Sequence, residues 1–528
     1  MKIEGSVSPT QLFNKVLLYL ENNSGTENNI DVYNYQTSDF EKILFNDLLT
    51  NIFVIIENKR HNNLMSMGVD VCARVIIEIC ALLKAAEKGH INDTQKKLFL
   101  LEYIYTDIKA KKPQNVDKEV LDRLYTRPYN KIISDIKELL GVDDKRAKEI
   151  LEERRFFMRY GGVVMANTML AFVKCTLGSE ICAMREKINI FIHPCFYDKT
   201  NGIWKSDSES ERETVINQVL TLGDMFIPEY PSEGYVKTKW NNQYVDEDTI
   251  ALIKVIKKAF KDELKDPFKS KDPNDYYKDK KLSDRVTRYT ILACLKKIGA
   301  TLVDMLICES LGMRMQTLAR QKCYAEMISV LGHFATVDNI DDVVKDFIFA
   351  SDMSILFRKK ERFHMFNKID RHKKLTKEEE KMYDDYLEAM DNWHEDFKKH
   401  HGYPDTPEEF ADKIRKQLLY YIKPDYNYKA LVKDYSQKYV KQSDTYHMIN
   451  NDYKLSAMLG HACTYKSKYK ENKISYLIPN LIRYTIAVAE AYELFGLSDS
   501  LNEISDCIVG NIKQNKSDAL DEKYKNWQ

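Results

Sequence analysis

The sequence predicts an all-α protein, and three observations carry that prediction. Turn-forming residues are scarce, with 18 Gly and 12 Pro in 528 residues, roughly half the usual share. Helix starts are written as a hydroxyl three residues before a Glu, at Ser38–Glu41, Thr376–Glu379 and Thr406–Glu409, the last with Pro407 at the first helical position. No stretch alternates β-branched and polar residues between turn dipeptides; only Asn51–Ile56 and Ile188–Ile192 are short runs that fit either helix or strand.

Composition excludes several classes of function. Lys+Arg and Asp+Glu both number 80, a formal charge of +0, so no whole-molecule field draws in nucleic acid or anionic lipid, and such binding needs a local patch. A hydrophobic content of 44% excludes a collagen-like, disulfide-scaffold or disordered chain. The ten Cys never form Cys-x-x-Cys and sit mostly in apolar stretches, which reads as reduced thiols in a reducing compartment. The longest apolar stretch, Gly161–Val173, is 13 residues long, short of the roughly 20 that span a bilayer. An early acid, Glu4, and no apolar signal core complete the picture of a cytoplasmic protein with no membrane partner.

At about 150 residues per domain the length predicts two to four domains. A mixed-charge segment from Lys261 to Asp284 straddles the midpoint of the chain. It divides the sequence into an N-terminal helical bundle at 1–262, a charged linker at 263–283 and a C-terminal helical bundle at 284–528. The halves align with each other: Met67-x5-Ala73-Arg74 matches Met313-x5-Ala319-Arg320, and Glu102–Asp107 resembles Asp346–Asp352. Each half also carries a late polar series ending in His, Arg185/Asn189/His193 and Tyr439/Ser443/His447, spaced i, i+4, i+8 so that each forms one helical stripe. Two tandem, related helical bundles are the expected architecture.

Candidate chemistry starts with Asp70, Arg74 and Glu78, one charged stripe on an otherwise apolar helix and narrower than a normal solvent face. It reads as a buried structural ion network before it reads as a catalytic one. The counterpart stripe has Gln316 and Arg320, with Glu326 two positions later than repetition requires. His193 and His447 end their stripes, where a His ordinarily meets terminal carbonyls; the alternative is that each faces the Arg of the early helix and forms a cationic, titratable pocket for phosphate. The binding candidates are therefore Arg74, Glu78, Arg185, His193, Arg320, Ser443 and His447. His394, His400 and His401 with Glu395 lack a zinc spacing, and no nucleotide loop or hydrolase motif occurs, so neither a metal nor a cofactor is expected.

The sharpest local motif is Arg358-Lys359-Lys360-Glu361-Arg362-Phe363-His364. Arg can offset charge on a transferring phosphoryl group while His moves a proton, with no metal required. On this motif the chain resembles the HEPN superfamily, helical bundles whose ribonuclease members carry an Arg, four to six residues, then a His. The resemblance spans about 284–511, with Lys359 standing where a polar Asn, Asp or His commonly follows the Arg. The order of helices also resembles a bacterial helical family found among defence-type genes. The resemblance implies metal-independent RNA cleavage in antiviral defence or stress, with Arg358 and His364 catalytic. Because the matching first-half segment, Ile108–Pro113, has neither Arg nor His, a two-sided site would take a homodimer. The alternative is a non-catalytic helical binding or regulatory module for a protein or nucleic-acid partner.

Overall fold

The computed structural model describes residues 5–22, 31–110, 117–152, 169–192, 209–228, 244–263, 280–335, 373–381 and 477–525, with Ile3, Phe157, Tyr160, Ile340, Lys368 and Asp384 as isolated positions. Among them the protein is all-α: 82% helical, with no strand. The first half contributes α1 (Pro9–Asn22), α2 (Asp39–Arg60), α3 (Met67–Glu87), α4 (Asp93–Ala110), α5 (Lys118–Leu121), a π-turn at Asp122–Thr126, α6 (Arg127–Leu140), α7 (Asp144–Glu152), α8 (Met169–Leu177), α9 (Ser179–Ile192) and α10 (Glu209–Asp224). Then come α11 (Glu247–Glu263), α12 (Lys280–Ser310), α13 (Arg314–Phe334), α14 (Leu477–Ala491) and α15 (Phe495–Lys525). Both runs that fitted either structure, Asn51–Ile56 and Ile188–Ile192, lie inside helices, α2 and α9.

The ends of these helices show where local sequence rules hold. Thr376 and Glu379 make a reciprocal capping box, each side chain accepting from the other's backbone N–H at 3.3 and 2.8 Å. Ser38 sits just before α2 as expected, but its side chain makes no capping bond; Asp39 instead accepts from Gln36 N at 2.9 Å. Asn92 and Gln95 form a second reciprocal box at the start of α4. Ser66 caps α3 by accepting from Gly68 N at 2.9 Å. The helix start expected at Thr406 lies outside the described residues.

α3 is the hub. It packs on α2, α8, α9 and α10 from the first half and on α12 and α13 from the second, which leaves it almost wholly buried. An apolar helix without a broad polar face can be stable in water only when surrounded in this way. The buried apolar side chains form one continuous cluster from α1 to α15. α11, on the N-terminal side of the expected boundary, packs on α12 and α15 through buried Ile253, Ile256 and Phe260. Gly299 of α12 is what allows the close approach, since a Cβ there would stand 2.7 Å from the Phe260 ring.

Across the middle of the molecule α3 meets α12 and α13 at a polar seam. Asn58 of α2 donates to Asp304 Oδ1 of α12 at 2.6 Å, and the two residues are 246 positions apart. The same separation relates Met67 to Met313 and Arg74 to Arg320. Among the described residues no helix is long and apolar enough to cross a membrane. None of the eight described cysteines forms a disulfide, and six of them are buried.

Candidate functional site

The charged stripe of α3 is buried, with Asp70 and Glu78 at 0% and Arg74 at 7% exposure. Its acids take partners from other helices. Arg212 of α10 reaches Asp70 Oδ2 through Nη2 at 2.7 Å, and its guanidinium lies over the Phe191 ring, 4.7 Å from the centroid. Lys297 of α12 donates to the Phe191 carbonyl at 2.7 Å, which ties the end of α9 to the same cluster. About two helical turns further on, Glu78 accepts from both Nε, at 3.2 Å, and Nη2 of Arg185 on α9. Glu78 and Arg185, proposed from separate parts of the sequence, are thus brought together as a buried ion pair.

The second half builds a related cluster around Arg320, fully buried on α13. Its Nε donates to Asp304 Oδ2 at 2.6 Å, its Nη1 to Gln316 O and Oε1 at 2.7 and 2.8 Å, and its Nη2 to Cys72 Sγ of α3 at 3.1 Å. Asp304 is held from the other side by Asn58, which in turn accepts from Asn63 Nδ2 at 2.7 Å. Thr301 accepts from Met67 N at 3.2 Å. Gly68 is required by this arrangement: a Cβ would fall 1.7 Å from Asp304 Oδ2 and 2.6 Å from Arg320 Nε. The ion pair therefore presses directly on the backbone of α3.

Electrostatics follow burial and pairing. Burial raises the Asp70 carboxyl to about 6, Arg212 and Lys297 oppose the rise, and Asp304 adds to it. Burial works most strongly against the Arg320 charge, but the charge and hydrogen bond of Asp304, together with the neighbouring Cys308 and Cys72, hold the guanidinium above its ordinary value. Burial drives the neighbouring Cys308 thiol well up, so it packs as a neutral hydrophobe. Among the described residues no group of three or more His, Cys, Asp or Glu is placed to hold a metal ion.

Arg358, His364, His193, Ser443 and His447 lie outside the described residues. Asp304, Arg212, Lys297 and Asn58 were absent from the sequence reading. A signal for Asp304 existed, as the one charge in Leu302–Ile307; Arg212, set in an ordinary run of charges, carried none. Compared with known proteins, the chain matches no family model, no curated protein and no solved structure.

Proposed function

We propose that this chain is an intracellular, HEPN-like helical protein of two related bundles that acts on RNA in defence or stress, with Arg358 and His364 as its reacting pair. The observation that supports this division of labour is the fate of the other candidates. Arg185 and Arg320 are each committed to a buried carboxylate, Glu78 and Asp304, with side-chain exposures of 9%/0% and 0%/0%. A guanidinium drawn out of such a pair toward a phosphate would strand a carboxylate in the interior, which costs several kcal/mol, roughly 3–5. These groups hold the bundle together and leave the phosphoryl chemistry to Arg358 and His364.

In that chemistry His364 of one copy takes the proton of a ribose 2′-OH, the 2′-oxygen attacks the adjacent phosphorus, and the bond to the 5′-oxygen breaks as that oxygen takes a proton from the imidazolium of His364 in the second copy of the dimer. Arg358 offsets the charge that builds on the phosphoryl oxygens. The duplication is supported by the Asn58–Asp304 hydrogen bond, which joins positions that correspond in the two halves, as a residue on a two-fold axis meets its own counterpart. The first half offers only Lys109, Lys111 and Lys112 where Arg358 and His364 would correspond, so the complete site belongs to a homodimer joined through the second halves.

RNA cleavage that persists in EDTA, leaves 2′,3′-cyclic phosphate ends and comes from a dimer is the expected result. A monomer that cuts RNA, or a His364→Ala variant that still cuts, contradicts it. The second reading, a non-catalytic module for a protein or nucleic-acid partner, is favoured by the same burial of charge; a clean dimer that leaves several RNAs intact selects it.

A further inference from the structure

The charged segment expected to link two bundles, 263–283, has a counterpart inside the first half. α1 and α2 are separated by residues 23–38, and α11 and α12 by residues 264–279, stretches of equal length. α1 packs on α2 as α11 packs on α12. The buried faces of these two leading helices also agree. Leu12, Phe13 and Val16 of α1 stand 240 positions before Leu252, Ile253 and Ile256 of α11, and all six are buried. α3 and α13, which end the hairpins that follow, are both 21 residues long.

The later helices repeat the same relations. α9 packs on α3, and α14 packs on α13. The last helix of the first half then returns to the leading one: Asp224 of α10 pairs with Lys15 of α1 at 2.9 Å, and Thr221 Oγ1 accepts from Val7 N, just before α1, at 3.2 Å. The last helix of the second half does likewise, with α15 packed on α11. α11 also meets the first half, where Lys257 donates to the carbonyls of His61 and Asn62 beyond the end of α2.

We infer that the protein repeats one unit, made of a leading helix, a buried hairpin and a closing pair, and that the second unit begins at α11, between residues 228 and 244. Any two amphipathic helices share a spacing of apolar residues, so the match of α1 to α11 counts for little alone. Its weight comes from coinciding with the equal connections, the hairpins that follow and the return of the last helix to the first. The segment 263–283 is then a connection inside the second unit, and the seam is a contact between two copies of one unit. Counterpart meets counterpart there, α2 with α12 and α3 with α13, as in an isologous interface. The inference is independent of whether Arg358 and His364 cut RNA.

The test is native-state hydrogen exchange of the full chain at rising denaturant, read by mass spectrometry, which reports the segments that open together. Peptides of α11 should open with those of α12 and α15. Phe260→Ala removes the ring that lies over Gly299 and should speed exchange in α11, α12 and α15 at least about tenfold, with a smaller change in α1 and α2. Phe13→Ala, in the leading helix of the first unit, should do the reverse. Cutting the intact protein at a protease site inserted within 229–243 should leave the exchange of α11 as in the uncut chain, whereas a cut within 264–279 should speed it at least about tenfold. Peptides of α11 that open with α1 and α2, or two cuts with equal or reversed effects, would overturn the inference. So would Phe260→Ala and Phe13→Ala variants that each speed both halves alike.

Discussion

α3 and α13 share the pattern Met-x5-Ala-Arg around their first turns, yet the polar groups they bury meet different surroundings. On α3 each acid is met by a guanidinium from a helix later in the same half, Asp70 by Arg212 and Glu78 by Arg185. On α13 Arg320 turns back to Asp304 of its own hairpin and reaches on to Cys72 in α3. The residue 246 positions after Glu78 is Tyr324, whose hydroxyl meets Thr485 rather than a charge. The difference teaches that the Met-x5-Ala-Arg segment specifies a helix that will be buried, while its neighbours decide which polar groups it must satisfy. α3 is the helix that both halves share, and α13 is the one that anchors the seam.

The largest expected effect comes from breaking the anchor. Arg320→Met leaves Asp304 buried with the uncharged Asn58 and Cys308 against it and should destabilise the protein by about 3–5 kcal/mol. Because Arg320 touches both halves, chemical denaturation followed by two probes, one in each half, should show both transitions moving together. Arg185→Met should cost a similar amount, but chiefly in the first-half probe. Equal responses of the two variants in the two probes would erase the distinction drawn between α3 and α13.

A smaller effect is expected at the backbone of the seam. Gly68→Ala places a methyl where Asp304 Oδ2 and Arg320 Nε already stand, and should cost about 3 kcal/mol by overpacking. Gly89, with φ +68° and open space around it, offers the contrast: alanine there is strained by its backbone alone and should cost about 1 kcal/mol. An unchanged unfolding midpoint for Gly68→Ala would mean that α3 does not press on the Asp304–Arg320 pair.

The remaining effect is a slope with pH. Asp70 titrates at about 6 in the folded protein against 3.8 for the ordinary carboxyl, so between those values the folded state holds more protons than the unfolded one. Its contribution to stability is therefore fully present below about pH 4 and is lost as the pH rises through about 6. The difference in unfolding free energy between wild type and Asp70→Asn should change across that window and be flat above it. A flat difference from pH 4 to 7 would show Asp70 to be ionised throughout, with Arg212 outweighing burial.

Much of the scaffold was legible in the sequence. Scarce Gly and Pro and the Thr376–Glu379 box reported helices directly, because those signals are local. The α3 stripe also announced its burial, since one row of charges cannot make a solvent face. Asn51–Ile56 stayed ambiguous because an apolar run without period is decided by what packs around it, here α1, α3 and α4 on α2. Ion-pair partners were the least legible. Arg212 lies 142 residues from Asp70, and nothing near it in sequence distinguishes it from a surface Arg. Asp304 was the missed opportunity: a single acid in an apolar helix must find a cation, and Arg320 is 16 residues away.

If, as proposed, the buried pairs hold the bundle while Arg358 and His364 act on RNA, then RNA cleavage in EDTA and the unfolding midpoint should separate when both are measured for wild type, His364→Ala and Arg185→Met at a temperature where all three are folded. His364→Ala should keep its midpoint and lose cleavage, and Arg185→Met should lose several degrees in midpoint and keep cleavage. Cleavage that survives His364→Ala but disappears in folded Arg185→Met would contradict that proposal.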